Sequence, residues 1–309
     1  MRLRHIPLIV LLLAFAAPAG AAGLLDKNVH YFQPVIDGSG VVWTVGSEPL
    51  TMFRMHYGAW LDDAVDSVDY LEDENNKLYR IVENQVSTNL VYAVGFFHFL
   101  DVGFDLPLTI YRQFNEEFED KYEFDSFAVE DIRFEVKGTI LNRRQKCLGL
   151  ALLGRVTTPL AYQENSFVSD KTTTLAPVLV ADLGRRWWTV AANLGYKYYV
   201  TPQGSELFDM EVGDELTLTL GGILRVDRSN QVLADLATRT QVRAPYGEPD
   251  LDYMEVLVAY RKYWQRLNFT ALTAGVGMGL LSGVGDPKIR FFVGVTRDER
   301  RLGPGDVYF

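Results

Sequence analysis

Apolar and polar residues alternate along several stretches of this chain. In 102–110, one set of alternate positions holds Val, Phe, Leu, Leu and Ile, and the other holds Gly, Asp, Pro and Thr. In 131–137, apolar Ile, Phe and Val alternate with Asp, Arg, Glu and Lys. Successive side chains of a β-strand point to opposite faces, so this period of two predicts strands with one apolar and one polar face.

About twelve segments show the pattern, and most of them run for about 10 to 14 residues. Strands of soluble proteins usually run for about 5 or 6 residues, whereas a tilted strand needs about 9 to 11 to cross a bilayer. The lengths therefore favour strands that span a membrane. The segments are 51–61, 86–97, 100–111, 129–141, 147–157, 173–183, 187–199, 215–226, 232–243, 252–263, 267–280 and 288–297.

Three of these segments are less regular than the others. Segment 173–183 contains Pro177, and 147–157 is apolar on both faces around Leu152 and Leu153. Segment 267–280 is predicted to carry a bulge near Leu272. A proline or a bulge interrupts the hydrogen bonding of a strand locally, so all three are still predicted to be strands.

The connections between the segments alternate in length. Outer-membrane barrels join their strands by short periplasmic turns and longer extracellular loops, so this alternation, with both termini in the periplasm, fits that class. The short connections are 98–99, 142–146, 184–186, 227–230 and 264–266, and the long ones are 62–85, 112–128, 158–172, 200–214, 244–251 and 281–287.

Aromatic residues are predicted near strand ends, where membrane barrels carry interfacial girdles. Together with strand length and loop alternation, they predict an all-β fold, a transmembrane antiparallel up-and-down β-barrel of about twelve strands over 51–297. The aromatic residues concerned are Phe96, Phe97, Trp187, Trp188, Tyr198, Tyr199, Tyr260, Tyr263 and Trp264.

Residues 1–22 have the pattern of a secretory signal peptide. A basic start with Arg2 and Arg4 precedes an apolar run, and small residues up to Ala21 and Ala22 predict cleavage after one of these two. Residues 23–50 are predicted to be either a periplasmic segment or a plug inside the barrel, and 298–309 to be a polar tail.

The net charge of −10 argues against binding of nucleic acid. The only cysteine, Cys147, excludes a disulfide within the chain. The expected partners are outer-membrane lipid with lipopolysaccharide and the barrel-assembly machinery, and a small solute is possible. Neither a cofactor nor a metal is expected, and the oligomeric state is left open.

Charged residues on the polar parity of the strands are predicted to face the barrel lumen, because a charge against lipid is costly. Ion pairing that fills the lumen is the preferred interpretation, and a pathway for polar solutes is the alternative. The same parity adds Arg54, His56 and Lys288. The principal set is Asp101, Asp105, Asp131, Arg133, Glu135, Lys137, Arg155, Lys197, Arg225, Asp235, Arg239, Arg243, Glu255, Arg261 and Arg290.

The connections 62–85 and 112–128 are rich in Asp and Glu. Solvated acidic loops on the cell surface are the simpler interpretation. A weaker hypothesis is that divalent cations bridge these carboxylates to lipid phosphates, because such ions bind oxygen ligands.

Four stretches resemble known outer-membrane barrels: Asp105–Tyr111, Glu130–Lys137, Asn193–Tyr196 and Gly283–Phe291. They are similar to the N-terminal barrel domain of OmpA-type outer-membrane proteins and to phenol-degradation MetA-pathway-like barrels, over most of 30–297. The resemblance implies an outer-membrane barrel. In OmpA-type proteins a peptidoglycan-binding domain usually follows the barrel, and that property is not carried over; the family offers no catalytic residues.

Three functions stay open from the sequence. The favoured one is a structural barrel or a narrow solute pore with a charged lumen. The second is an outer-membrane hydrolase, but His30, His56 and His98 lie in no recognisable Ser or Asp motif, so no enzymatic activity is expected. The third is a soluble periplasmic β-sandwich or lipocalin-like binding protein, which the strand lengths disfavour.

Overall fold

The fold is built from long β-strands joined by alternating short and long connections. The computed structural model describes residues 28–72, 77–115, 126–160, 168–201, 203–205, 210–247, 251–264, 270–281 and 285–299. The elements are β1 (Met55–Glu72), β2 (Lys77–Phe96), β3 (Leu100–Phe114), β4 (Ala128–Val129), β5 (Ile132–Leu141), the short helix α1 (Arg143–Lys146), β6 (Leu148–Thr158), β7 (Thr174–Gly184), β8 (Trp188–Tyr199), β9 (Gln203–Ser205), β10 (Met210–Val212), β11 (Glu215–Arg225), β12 (Asn230–Gln241), β13 (Tyr253–Trp264), β14 (Thr270–Gly279) and β15 (Ile289–Asp298).

The twelve long strands form one closed antiparallel barrel. Each pairs with the next long strand along the chain, and β1 also pairs with β15, with Trp60 opposite Gly294. The short strand β4 pairs with β3, while β9 and β10 form a separate hairpin. This closure confirms the predicted fold class, a transmembrane up-and-down barrel of twelve strands, because a closed sheet leaves no unpaired edge in lipid.

Apolar side chains cover the outside of the barrel, and charged ones lie inside it. On β5, Val136 is 41 % exposed, whereas the adjacent Lys137 is 2 % exposed. On β15, Phe291 is 51 % exposed and the adjacent Arg290 is 1 % exposed. An apolar outer surface of this extent is what a lipid environment requires, and it argues against a soluble sandwich or binding protein.

The prediction that 62–85 form a long loop is wrong. β1 continues to Glu72 and β2 begins at Lys77, and the two strands pair with each other to the end. Pairing of β1 with β15 stops at Val65, and pairing of β2 with β3 stops at Val82. The hairpin therefore projects beyond its neighbours, and beyond the bilayer neither face must be apolar, so alternation no longer marks the strands.

Two smaller predictions also need correction. The bulge predicted near Leu272 is absent, because Leu272 pairs in unbroken register with Lys262 and Val295. Tyr199 and Tyr263, assigned to the aromatic girdles, are buried inside the barrel instead.

Residues 28–50 form an extended segment inside the barrel, named here the inner segment, and they hold none of the long strands. The predicted signal peptide and most of the polar tail lie outside the described residues, as does 116–125 of the acidic connection 112–128. In the part of the chain that is described, no helix is both long enough and apolar enough to cross a membrane.

Candidate functional site: the occupied lumen

The inner segment runs through the lumen from one end of the barrel to the other. At the end with the long connections, the Asn28 amide donates to Asp170 at 3.1 Å. At the end with the short connections, the Leu50 amide donates to Asp101 at 2.9 Å. The sequence left a plug and a periplasmic segment as alternatives for 23–50, and placed both termini in the periplasm. Residues 28–50 lie in the lumen, as the plug alternative describes. Because they cross the lumen, Asn28 lies at the end with the long connections, whereas β1 starts at the end with the short connections.

Two apolar clusters hold the inner segment against the wall. In the first, Phe32 and Val42 are fully buried beside Trp60 and Phe292 of the wall. In the second, Val35 and Val45 pack on Leu153 of β6 and its neighbours. This contact explains why 147–157 is apolar on both faces: Leu152 faces lipid and is 57 % exposed, while Leu153 faces the inner segment.

Acidic and amide side chains of the wall bind the backbone of the inner segment. Asp235 on β12 accepts hydrogen bonds from the amides of Val42 and Trp43 at 2.7 and 2.9 Å. It also accepts one from the Thr44 hydroxyl. Asn193 on β8 bonds both backbone groups of Val45, accepting at 2.7 Å and donating at 2.9 Å. These bonds satisfy amides that a non-strand segment could otherwise not pair inside a barrel.

Basic side chains of the wall bind the carbonyl groups of the same segment. Arg261 on β13 donates to the carbonyl oxygens of Gly40 and Val41. Arg133 on β5 donates to the Pro34 carbonyl oxygen at 2.6 Å. Much of the charge predicted to fill the lumen by pairing across strands therefore binds the inner segment instead.

Ion pairs between wall strands complete the network. Arg133 lies 2.9 Å from Asp105 on β3, and Arg155 on β6 lies 2.7 Å from Glu135 on β5. Lys137 on β5 lies 3.2 Å from Asp101 on β3 and also pairs with Asp37 of the inner segment. Opposite charges on adjacent strands are close enough to pair when they point to the same face.

The inner segment brings a histidine into this network. His30 contacts Glu130 at 2.8 Å through Nδ1 and Asp62 at 3.1 Å through Nε2. Burial lowers the pKa of His30, but the charges of Glu130 and Asp62 outweigh it and raise the pKa to about 10. His30 is therefore a cation at neutral pH, and its charge anchors the outer part of the inner segment between two wall elements.

A second carboxylate pair lies close to this anchor. Arg290 on β15 contacts Asp62 at 2.5 Å and Glu255 of β13 at 3.0 Å, and Glu255 also accepts a hydrogen bond from Tyr253. Asp62 was assigned to a surface loop from the sequence, but it is buried on β1. The chain of alternating charges links β1, β13 and β15 around the inner segment.

Most residues of the predicted lumen set lie inside the barrel. The buried members are Asp101, Asp105, Asp131, Arg133, Glu135, Lys137, Asp235, Glu255, Arg261 and Arg290, with His56. Arg155, Lys197 and Arg239 are partly exposed and line an internal cavity.

Four residues of the predicted set do not lie deep in the lumen. Arg243 is exposed beyond the end of β12, where the wall no longer separates two faces. Lys288 is exposed and pairs with Asp66 at 2.9 Å. Arg225 is partly exposed at the short-connection end, where it donates to Thr189, and Arg54 lies in the turn before β1.

An internal cavity of about 80 Å³ lies near the long-connection end, between the inner segment and the wall. Its lining includes Arg155, Lys197 and Arg239 together with Asp131 and Asp170. Burial and the neighbouring Asp170 raise the pKa of Asp131, which precedes β5, to about 7. Two further cavities beside the inner segment hold only about 10 Å³ each.

Several residues of the site were missed from the sequence. Asp182 accepts a hydrogen bond from the Ser47 hydroxyl at 2.6 Å, and Glu130 and Asn193 bind the inner segment as described above. Asn193 shares the parity of the predicted lumen residue Lys197 along β8, and Asp182 is a charged residue on the inward parity of β7, so the alternation could have identified both. Glu130 precedes β5 and has the parity opposite to Asp131, so the alternation gave no signal for it. Glycine also marks the contact, because a Cβ at Gly149 would overlap the Ser47 hydroxyl.

Two of the three histidines considered for a hydrolase have other partners. His30 lies between two carboxylates, and Nδ1 of His56 contacts the Ile36 carbonyl oxygen at 2.7 Å. A serine nucleophile needs a histidine within hydrogen-bond reach, and neither of these two contacts a serine among the described bonds. Among the described residues, no cluster of three or more His, Cys, Asp or Glu side chains could hold a metal ion.

Comparison with known proteins gives no sequence match. No protein-family model matches the chain, and no curated protein sequence matches it.

Solved structures match at the level of the fold. An outer membrane channel from Pseudomonas putida F1 aligns with a TM-score of 0.59 at 15% sequence identity, covering 81% of this chain and 97% of that chain. The NanC porin aligns with a TM-score of 0.49 at 7% identity, covering 79% of this chain and 99% of that one. The KdgM porin gives 0.44 at 11% identity, with 78% and 98% covered. At such identities the likeness shows the barrel fold alone.

Proposed function

We propose that this protein is a narrow pore of the bacterial outer membrane, with a lumen largely occluded by the inner segment. The observation that carries the proposal is the path of residues 28–50 through the whole lumen. Among the described residues, the cavities beside this segment include one of about 80 Å³ and two of about 10 Å³.

The lumen of a twelve-stranded barrel is narrow enough for the inner segment to occlude it. About eight strands enclose only their own side chains, whereas about sixteen leave a water-filled channel. Twelve strands leave room for one extended chain, and the inner segment takes that room. A general diffusion porin would need this space to be open, so we expect passage only of small solutes.

The membrane location follows from the apolar outer surface together with the predicted export. Cleavage of 1–22 after Ala21 or Ala22 is part of the proposal, as are insertion by the barrel-assembly machinery and contact with lipopolysaccharide. The long connections would then face the cell exterior. The narrower relation to OmpA-type or MetA-pathway-like barrels also belongs to the proposal, and the pore does not depend on it.

A purely structural barrel is the second candidate. It is favoured by the dense hydrogen bonding of the inner segment, because Asp235, Asn193 and Arg261 together bind seven of its polar groups. A hydrolase has no such support, because the described histidines of the lumen already have carboxylate or carbonyl partners.

Conductance in a planar bilayer distinguishes these candidates. The purified, folded protein should give small, steady current steps, and a variant lacking 28–50 should give steps several times larger. The mobility difference between unheated and boiled samples on a gel reports that each variant is a folded barrel. Large steps from the unmodified protein would reject the occluded pore, and the absence of steps from both proteins would favour the structural barrel.

A further inference from the structure

We propose that the cavity at the long-connection end binds a small organic carboxylate, with Arg239 and Arg155 as the recognising groups. As an assignment of the solute class, the inference rests on the proposed pore. It is carried by the charge balance around three arginines, by the surroundings of Arg239 and by the lining of the cavity.

The arginine side of the cavity has one more positive charge than negative charges. Arg133 pairs with Asp105 at 2.9 Å, and Arg155 pairs with Glu135 at 2.7 Å. Arg239 completes the group of arginines that line the cavity, and among the described residues its hydrogen bond goes to the amide side chain of Gln33 and not to a carboxylate. Asp105 and Glu135 therefore neutralise two of the three guanidinium groups, and the charge of Arg239 is left without a paired carboxylate.

Neutral groups hold Arg239 in place. It donates one hydrogen bond, at 3.3 Å, to the side-chain oxygen of Gln33. Its guanidinium lies 4.4 Å from the ring centre of Tyr31 and 6.0 Å from that of Tyr253. A guanidinium has five N–H donors, so most of the donors of Arg239 are not used by the described protein. Stacking fixes the plane of the group while leaving its edge for an acceptor.

The cavity favours a single carboxylate over a larger or more highly charged anion. A guanidinium binds a carboxylate through two parallel hydrogen bonds, and Arg155, with 21 % of its side chain exposed, is available beside it. Asp131 and Asp170 also line the cavity and would repel a dianion such as phosphate. Phe32, Trp43 and Tyr31 supply an apolar wall, which suits a flat hydrocarbon body.

Benzoate is a suitable probe for this site, and benzyl alcohol is its neutral counterpart. Isothermal titration of the folded full-length barrel in detergent, at constant ionic strength, should detect benzoate and not benzyl alcohol. Arg239→Gln should weaken benzoate binding about ten- to hundredfold, the usual effect of losing hydrogen bonds to a charged group. Arg239→Lys keeps the charge without the planar fork and should give an intermediate loss.

Arg225→Gln is the matched control, because Arg225 lies at the other end of the barrel and outside the cavity lining. It should bind benzoate like the unmodified protein, and unchanged gel mobility shifts would show that all variants are folded. Failure of the unmodified protein to bind benzoate, or equal binding by Arg239→Gln, would overturn the site. Conductance tests the pore separately: a conducting protein that ignores benzoate refutes only the site, whereas a non-conducting protein that binds it refutes only the pore.

Discussion

Asp235 offers the sharpest perturbation of the inner segment. Its carboxylate accepts hydrogen bonds from the amides of Val42 and Trp43 and from the hydroxyl of Thr44, at 2.7, 2.9 and 2.5 Å. Replacement by alanine removes all three bonds and leaves two buried amides without a partner. The outer surface and the strand register are untouched, because Asp235 lies inside the barrel.

The expected cost follows from these three bonds. A hydrogen bond to a charged group contributes about 1.5–3 kcal/mol, and neighbouring bonds are less than additive. Asp235→Ala should therefore weaken docking of the inner segment by about 3–6 kcal/mol. That difference raises the fraction of undocked molecules by about two to four orders of magnitude.

Conductance and proteolysis read out this change. In a planar bilayer, Asp235→Ala should show frequent large openings, and the inner segment should become cleavable by an added protease. Asp227→Ala is the control, because Asp227 also accepts three hydrogen bonds, from Ser229 and Asn230, but in an exposed turn. If Asp235→Ala conducts and resists protease like this control, the inner segment does not depend on Asp235 and the reasoning is refuted.

Three further predictions test other parts of the structure. The pKa of His30 rises from 6.5 to about 10, so the cationic side chain stabilises docking of the inner segment fully below about pH 6.5 and loses that effect as the pH passes about 10. Cleavage of the inner segment near residue 30 by an added protease should therefore increase over this pH range. His30→Gln should make this cleavage independent of pH. Val136→Arg should block assembly of the barrel, because an Arg that faces lipid costs about 2–4 kcal/mol at mid-bilayer. Lys137→Val should still give a heat-modifiable barrel, with a larger conductance. If both variants assemble equally well, the assignment of Val136 to lipid and Lys137 to the lumen is wrong. A tag inserted near Asn75 should be labelled on intact cells and one near Arg143 should not, and the reverse result would invert the orientation.

The barrel wall was predictable because each membrane-spanning strand must present one apolar and one polar face. All twelve predicted strands exist, and on β5 the alternation of Val136 and Lys137 between lipid and lumen is the pattern that defined it. The lipid supplies the constraint, so the prediction failed where the lipid ends. The first hairpin continues as two paired strands beyond Val65 and Val82, where the neighbouring strands no longer pair with it and no alternation is required.

The occupant of the lumen was less predictable. The inner segment has no periodic pattern, because side chains from many strands bind it one bond at a time. The Val42 amide and Asp235 are 193 residues apart in the chain, so no local rule connects them. One usable signal was present: Leu152 and Leu153 make β6 apolar on both faces, which indicates an apolar object inside the barrel.

The sequence predicted which charged residues face the lumen, but it did not predict the groups that they bind there. Arg133 and Lys137 were assigned to the lumen, and both lie there, but each binds the inner segment as well as a wall carboxylate. Arg243 follows the same parity beyond the end of β12 and is exposed, because the alternation has no meaning once the strand has ended.

Hydrogen exchange of the inner segment tests the central claim, occupation of the lumen, most directly. In the folded protein the amides of Val42, Trp43 and Val45 donate to Asp235 and Asn193 of the wall, and that of Ser47 donates to Asp182. Mass spectrometry of the unmodified protein in detergent should find these amides protected about as long as those of the barrel strands. Exchange of residues 41–47 as fast as that of an exposed connection, in a barrel whose strands remain protected, would contradict the account.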